Sequence, residues 1–321
     1  MTPPPVHVTA PTNPAEMVRS RVVGSVRAVA AGEPGLTAVG CAGIVVAVVC
    51  LGGVATLGRF VAPEGKLLDA ATFSFGVGLY TLSVAALLPL AGFSTVGRRR
   101  WRRAFYVFIT YGLVLESLQS FRGLDPRFTE AGGTIDVVAG IVFGVAAALN
   151  TVLFVLLGGR FFLRCVLADR PLLRLGIRYG VVAVAISFAI GIVMSVNSGR
   201  HVGEEGNLLV AHGLGVHGLQ VMPLIALLAT HAGLAQPCRW VHVAGGAWLT
   251  ACLAALAQAL LGRPPAEVSA VPAITVVALA VWVACAVAVA RGWLQACSWR
   301  PASTAKRERH AASRFKRRSS S

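Results

Sequence analysis

Eight long apolar runs constrain this chain more than any other feature. They lie near 36–58, 71–93, 104–121, 135–158, 179–197, 208–231, 241–261 and 272–290, separated by short polar segments. Each is about 17–24 residues long, which at a rise of 1.5 Å per residue suits a helix crossing a hydrocarbon core of ~30 Å. Inside that core every backbone N–H and C=O must find a partner, and a helix of this length satisfies them within the segment. The predicted fold is all-α: a polytopic transmembrane helix bundle of about eight spans over 36–290. A disordered cytoplasmic tail is expected over 1–35, and a basic disordered one over 291–321.

Composition agrees. The chain is 56% hydrophobic and 13% charged, where a soluble domain carries about 25% charged residues. Mean hydropathy is +0.72. These values exclude a soluble globular enzyme and a nucleic-acid partner, and they imply a lipid bilayer as the surroundings. The net charge of +16 therefore reads as topology. Of the 29 Lys and Arg residues, 23 fall in the loops between runs two and three, four and five, six and seven, and in the two terminal segments. The other six, Arg59, Lys66, Arg122, Arg127, Arg200 and Arg263, fall in the alternate loops. The positive-inside rule then places both termini in the cytoplasm, with an even number of spans. Nine of the 13 acidic residues map to the opposite, outer half.

Lys occurs only at positions 66, 306 and 316, an Arg bias expected of a GC-rich bacterial genome and so of a bacterial plasma membrane. The polar start of the chain, with no A-x-A-like site after the first run, does not read as a cleaved signal peptide. The seven cysteines form no CxxC pair and are expected to be small packed side chains. Two halves of four spans each share span lengths and no evident repeat. The segment 160–178, with Phe161, Phe162, Leu173 and Ile177 among arginines, is expected to lie on the inner leaflet.

Two outer-half stretches carry the polar chemistry. In the first, Glu116, Gln119 and Ser120 fall at i, i+3 and i+4 on one helix face. Arg122 follows, then Gly123 and Pro126 in a tight exit, and Asp136 opens the next run. A carboxylate at the depth of Glu116 must face protein or water. Either it serves a site, or it pairs with Arg122 or another arginine and fixes packing. In the second stretch His212, His217 and Gln220 enter run six among Gly213, Gly215 and Gly218. The two histidines are five apart, not the four of a zinc helix, so that helix alone makes no metal clamp. One or both face other helices, His212 toward Glu116 or His217 toward Asp136, and serve a site or act as hydrogen-bonded packing residues.

Runs three, four and six are expected to converge. Glu116, His212 and His217 are then the catalytic candidates, and Gln119, Arg122, Asp136 and Gln220 the substrate-binding ones. The loop 197–206 is either a lid over them or a plain solvated loop. His231 and His242, at the inner ends of runs six and seven, are expected to lie close together, as interfacial residues or as haem ligands. Asn150 and Gln258 read as helix–helix glue. No cofactor is named by any motif: the phosphate-binding, dinucleotide, nucleophile-elbow and zinc-helix signatures do not occur.

The stretches Gln119-Ser120-Phe121-Arg122-Gly123, Pro126-Arg127-Phe128 and Asp136, with Gly206-Asn207-Leu208 through Ala211-His212-Gly213-Leu214-Gly215-Val216-His217-Gly218-Leu219-Gln220 to Pro223-Leu224, resemble a family of bacterial multispanning membrane proteins. That family's pattern is Q-x-x-R-G, S-H-F-N and an Asp, then G-D-L-x-x-x-H-x-L-G-x-H-x-L-Q-x-x-P-L. The likeness spans about a quarter of the chain, and Pro126-Arg127 replaces the family's S-H. It implies a multispanning bacterial membrane protein and carries no reaction. A looser association is with integral membrane enzymes of actinobacterial antibiotic biosynthesis, including those that rearrange an O-aminoacyl hydroxylamine into an N–N-bonded hydrazine. No motif carries that association.

Two functional classes fit. One is a membrane-embedded enzyme acting on a small amphipathic substrate, using a histidine near neutral pKa for acid–base work. The other is a proton-coupled small-molecule transporter using the same residues as a relay. The second requires polar residues leading inward. Because the polar cluster looks one-sided, sequence alone favours the enzyme.

Overall fold

The structure is a computed structural model and describes residues 14–298. It is an all-α bundle. After α1 (Pro14–Gly32), eight helices are long and apolar enough to cross a membrane. They are α2 (Pro34–Leu57), α3 (Leu67–Leu87, extended by a 3-10 turn to Leu90), α4 (Thr95–Phe121), α5 (Thr134–Arg160), α6 (Pro171–Val196), α7 (Leu209–His231), α8 (Pro237–Leu260) and α9 (Ala270–Ser298). Two short hairpins sit at one end: β1 (Phe60–Val61) with β2 (Gly65–Lys66), and β3 (His201–Val202) with β4 (Gly206–Asn207). That end, which the charge bias assigns to the outside, is called the outer end below.

The expected disorder over 1–35 is corrected for residues 14–32, which form α1. Between Pro14 and Pro34 there is no proline, and Ala and Arg, frequent there, favour helix. At the other end α9 continues to Ser298, past the expected tail boundary at 290. Residues 1–13 and 299–321, the remainder of both expected tails, lie outside the described residues. The segment 160–178 is also corrected. Phe161 and Ile177 are fully buried in the core, and Arg178 and Arg160 are turned back onto carbonyls of Phe161 and Ala91. Phe162, by contrast, is exposed, with the Arg178 guanidinium 5.3 Å from its ring centroid.

Lipid supplies no hydrophobic drive between helices, so close approach depends on small residues. The tightest pairs are α2 with α3 and α6 with α7. A Cβ on Gly78 of α3 would lie 2.8 Å from the Gly40 oxygen of α2, and one on Gly180 of α6 2.9 Å from the Gly218 oxygen of α7. An aromatic core ties α3, α4, α5 and α6 together. Tyr80 meets Phe105, Phe154 and Phe188, and Trp101 stacks on Phe105 at 5.0 Å while donating to the Leu153 carbonyl. In the second half Trp248 meets Trp282 and donates to the Leu214 carbonyl.

These matching pairs reflect a duplication: α2–α5 and α6–α9 repeat one another. Gly58-Arg59 to Ala70 and Gly199-Arg200 to Ala211 share eight of 13 residues, in the pattern G-R-x-V-x-x-E-G-x-L-L-x-A. The backbone repeats as well. Leu67 N donates to Arg59 O (3.1 Å) and Leu208 N to Arg200 O (2.9 Å). Glu64 N donates to Gly123 O (2.8 Å) and Glu205 N to Gly262 O (3.0 Å). Gly123 and Gly262 end α4 and α8 with φ of +79° and +70°, a conformation glycine adopts without strain. Four spans per unit return the chain to its starting side, so this is a parallel repeat, not an inverted one. The units meet through α3 and α7 and through the aromatic contacts of α3 and α5 with α6.

Candidate functional site

The polar residues of unit one gather where α4 ends. Glu116, Gln119 and Ser120 are all buried, on the shared face that their spacing requires. Gln119 and Arg122 are three apart on α4, and both turn to Asp136 in the first turn of α5. Arg122 Nη1 donates to Asp136 Oδ1 and to Gln119 Oε1, each at 2.6 Å, and Gln119 Nε2 donates to Asp136 Oδ1 at 3.0 Å. Asp136 Oδ2 accepts from Gly133 N (3.1 Å), closing the start of α5, where a carboxylate also complements the helix dipole.

Glu116 has a different partner. Arg127, in the loop after Gly123, reaches back and donates to Glu116 Oε2 at 2.6 Å. The Glu116 side chain is 2% exposed and that of Arg127 is 35% exposed, so one end of the pair is dry and the other meets water. The Arg127 guanidinium lies 5.3 Å from the Phe73 ring centroid and 5.1 Å from that of Phe143, clamped between α3 and α5. Asp69 and Asp125 lie within electrostatic range of Glu116, and Arg127 within that of His212.

Glu64, at the turn of the first hairpin, fixes the loop that carries Arg127. Its carboxylate accepts from Thr129 Oγ1 (2.5 Å), Glu130 N (2.8 Å), Ala131 N (3.0 Å) and Asp125 N (3.2 Å). Those donors, the Thr129 hydroxyl first, hold its pKa down at about 2.

The histidines face other partners. His212 Nδ1 lies 2.9 Å from the carbonyl of Ser187 on α6 and 3.0 Å from its Oγ, while Ser187 Oγ donates to the His212 carbonyl at 2.8 Å. With the hydroxyl proton so used, His212 Nδ1 donates to the Ser187 carbonyl. Gly191 leaves room for the ring. About two turns further in, Gln220 of α7 bridges two groups. Turned for complementary bonding, its NH2 faces the carbonyl and Nδ1 of His217, and its oxygen accepts from Ser83 Oγ of α3 at 2.9 Å. This bond crosses between the two units.

The expected convergence of spans three, four and six is therefore met only between three and four by direct side-chain bonds. Spans three and four, α4 and α5, do pack together through Arg122, Gln119 and Asp136, whereas span six (α7) packs on α6, α8, α9 and α3. Glu116 pairs with another arginine, Arg127, as one of the two expected arrangements had it, and not with Arg122 or a histidine, while Asp136 pairs with Arg122 in place of His217. The helix periodicity explains the first change: six residues separate Glu116 from Arg122, which puts them on different faces, and the turn at Gly123 returns Arg127 to the Glu116 face.

The loop 197–206 is a hairpin against the end of α8, not a lid over Glu116, and its Arg200 pairs with Asp69 of α3 at 3.1 Å. The expected pairing of His231 with His242 is replaced by a bond from His242 Nδ1 to the Tyr179 hydroxyl (2.9 Å), while His231 is exposed. Sequence reasoning passed over Arg127, Glu64, Ser187 and Ser83. Only Arg127 gave a signal, as the residue standing where the resembled family has histidine.

Among the described residues no three or more His, Cys, Asp or Glu side chains are grouped to hold a metal ion. No protein-family model matches the chain, and neither a curated protein nor a solved structure matches it.

Proposed function

We propose that the protein is a carrier for small amphipathic molecules in a bacterial plasma membrane, with proton coupling through His217. The observation that carries this reading is the Ser83–Gln220–His217 chain. It links α3 of unit one to α7 of unit two. Gln220 is 11 residues into α7, about 17 Å along a helix about 35 Å long, and so near mid-depth. Carriers built from parallel repeats place substrate and coupling groups near mid-depth at the contact between units. Intramembrane polar groups at such a contact mark substrate or proton paths. Polar side chains thus occur at two depths, Arg127 and His212 toward the outer end and His217, Gln220 and Ser83 near mid-depth, and the second group is the inward extension that sequence alone did not supply.

A second reading, a membrane-embedded enzyme using Glu116 and His212, is favoured by one observation: Asp69, Glu116, Asp125, Arg127 and His212 share one neighbourhood. Natural-product chemistry such as N–N bond formation belongs to that reading. Against it, Glu116 and Arg122 are already held by internal partners.

Proteoliposomes carrying a trapped pH dye separate the two readings. A panel of small amphipathic amines and carboxylates is added under an imposed pH gradient. The carrier reading predicts substrate-dependent proton flux, lost in His217→Ala while His217→Gln, which keeps the bridge, retains uncoupled exchange. Chemical conversion of a panel member by detergent-purified protein, with no flux in vesicles, would instead establish the enzyme.

A further inference from the structure

The duplication exposes a difference between its two copies. In unit one, the outer end of α4 is filled by its own cations: Arg122 binds the Gln119 amide oxygen and Asp136, and Arg127 binds Glu116. Unit two repeats the frame. Gln258 occupies the position of Gln119, two residues before the last residue of its helix. Its carbonyl accepts from Arg263 N as that of Gln119 accepts from Leu124 N. Its Nε2 donates to a carboxylate of the following segment, Glu267 Oε2, at 2.7 Å, as Gln119 Nε2 donates to Asp136.

The cations are not repeated. Leu261 stands where unit one has Arg122, and Ala255 where it has Glu116. Gln258 is 3% exposed, and its Oε1 is buried without a hydrogen-bond partner among the described residues. It borders a cavity of about 90 Å³ with Asn207, Val210, Ala255, Pro272 and Val276. Val210 and Val276 are exposed on the bundle surface, so the cavity opens toward the lipid. Arg263 Nη1 is 3.8 Å from Glu267 Oε1, the other carboxylate oxygen from the one facing Gln258.

We propose that this cavity binds a primary ammonium group carried on an apolar chain, the ligand's cation standing where Arg122 stands in unit one. An ammonium supplies three donors and no acceptor, which matches an amide oxygen with no donor beside a carboxylate. The lining of Val, Ala and Pro takes the first carbons of the chain. An anionic head is disfavoured by Glu267, and an alcohol, with one donor and no charge, satisfies one of the two acceptors. The inference does not depend on the carrier reading, since the cavity lies at the outer end of α8, away from the Ser83–Gln220 contact.

The test uses the purified full-length protein in detergent, with hexylamine, hexanol and hexanoate as probes and thermal unfolding as the readout. Hexylamine should raise the midpoint with saturation, and hexanol and hexanoate should bind at least about tenfold more weakly. Glu267→Gln, at a position 33% exposed where an amide oxygen can still accept from Gln258, should weaken hexylamine binding about tenfold or more. Leu261→Arg should abolish it, because the chain then supplies its own cation as unit one does. Equal binding of hexanol and hexylamine, or unchanged binding in Glu267→Gln and Leu261→Arg, would overturn the proposal.

Native mass spectrometry from nanodiscs distinguishes the source of the ammonium. Retention of phosphatidylethanolamine over phosphatidylglycerol, lost in Leu261→Arg, identifies a lipid headgroup. Hexylamine binding without such retention identifies a free amine. Binding of neither refutes the site.

Discussion

Removing Arg127 should destabilise this protein far more than neutralising the glutamate it binds. Arg127→Met keeps the length of the side chain and its contact with Phe73 and Phe143 but removes the charge. What is lost is a charge-assisted hydrogen bond of 2.6 Å, worth about 1.5–3 kcal/mol, and the attraction of the cation for the two rings, ~0.5–1 kcal/mol each. What is left is a carboxylate 2% exposed, with Asp69 and Asp125 in range and no cation to balance it. Breaking a buried pair by removing one member costs ~3–5 kcal/mol. Arg127 is 35% exposed, and some of the attraction is screened, so ~3–4 kcal/mol is the expected loss.

Glu116→Gln leaves a different residue. Its amide oxygen still accepts from the guanidinium, and the partly exposed Arg127 is solvated, so ~1 kcal/mol is expected. In the double variant no charge is stranded, and its loss should fall short of the sum of the single losses by ~2 kcal/mol. Equilibrium unfolding in mixed detergent–SDS micelles, followed by far-UV circular dichroism, measures all three. Equal losses in the two single variants, or a coupling energy under ~0.5 kcal/mol, would refute the view that the pair is dry at its glutamate end.

Three further outcomes are expected. Because Glu64 has its pKa lowered from 4.5 to about 2, its hold on the 125–131 loop should be complete above about pH 4.5 and lost as pH falls toward about 2. Amide protection of Glu130 and Ala131 should follow that course, while in Glu64→Gln it should be weak and independent of pH; wild-type protection that is flat across this range would count against the bracing role. Gly78→Ala places a methyl group 2.8 Å from Gly40 O and 3.0 Å from Ile44 N, both backbone atoms. It should cost ~1–3 kcal/mol in the same unfolding assay, and an unchanged midpoint would mean that α2 and α3 do not pack through these glycines. Alkaline phosphatase fused after Ser321 should be inactive, and inserted between Glu204 and Glu205 active, as the charge bias requires; an active fusion at Ser321 would overturn the orientation.

The sequence by itself determined the number of spans, their approximate limits and the all-α class, because partitioning into lipid is nearly additive over a run of residues and needs no knowledge of neighbours. It also located the depth of the polar residues, since depth follows from position within a run. Which residues meet was decided by the tertiary structure. Helix rotation and the reversal at Gly123 give Glu116 to Arg127 and leave Arg122 for Asp136, and the contact of α3 with α7 joins Ser83 to Gln220. The duplication itself is present in the sequence, confined to two short stretches that comparison of span lengths does not reveal. Its identity is concentrated between Gly58 and Ala70 and between Gly199 and Ala211, where backbone close to backbone restricts the residue type. Along the spans many apolar side chains serve equally well against lipid, so the two copies diverged there while keeping the same hairpins and the same backbone hydrogen bonds.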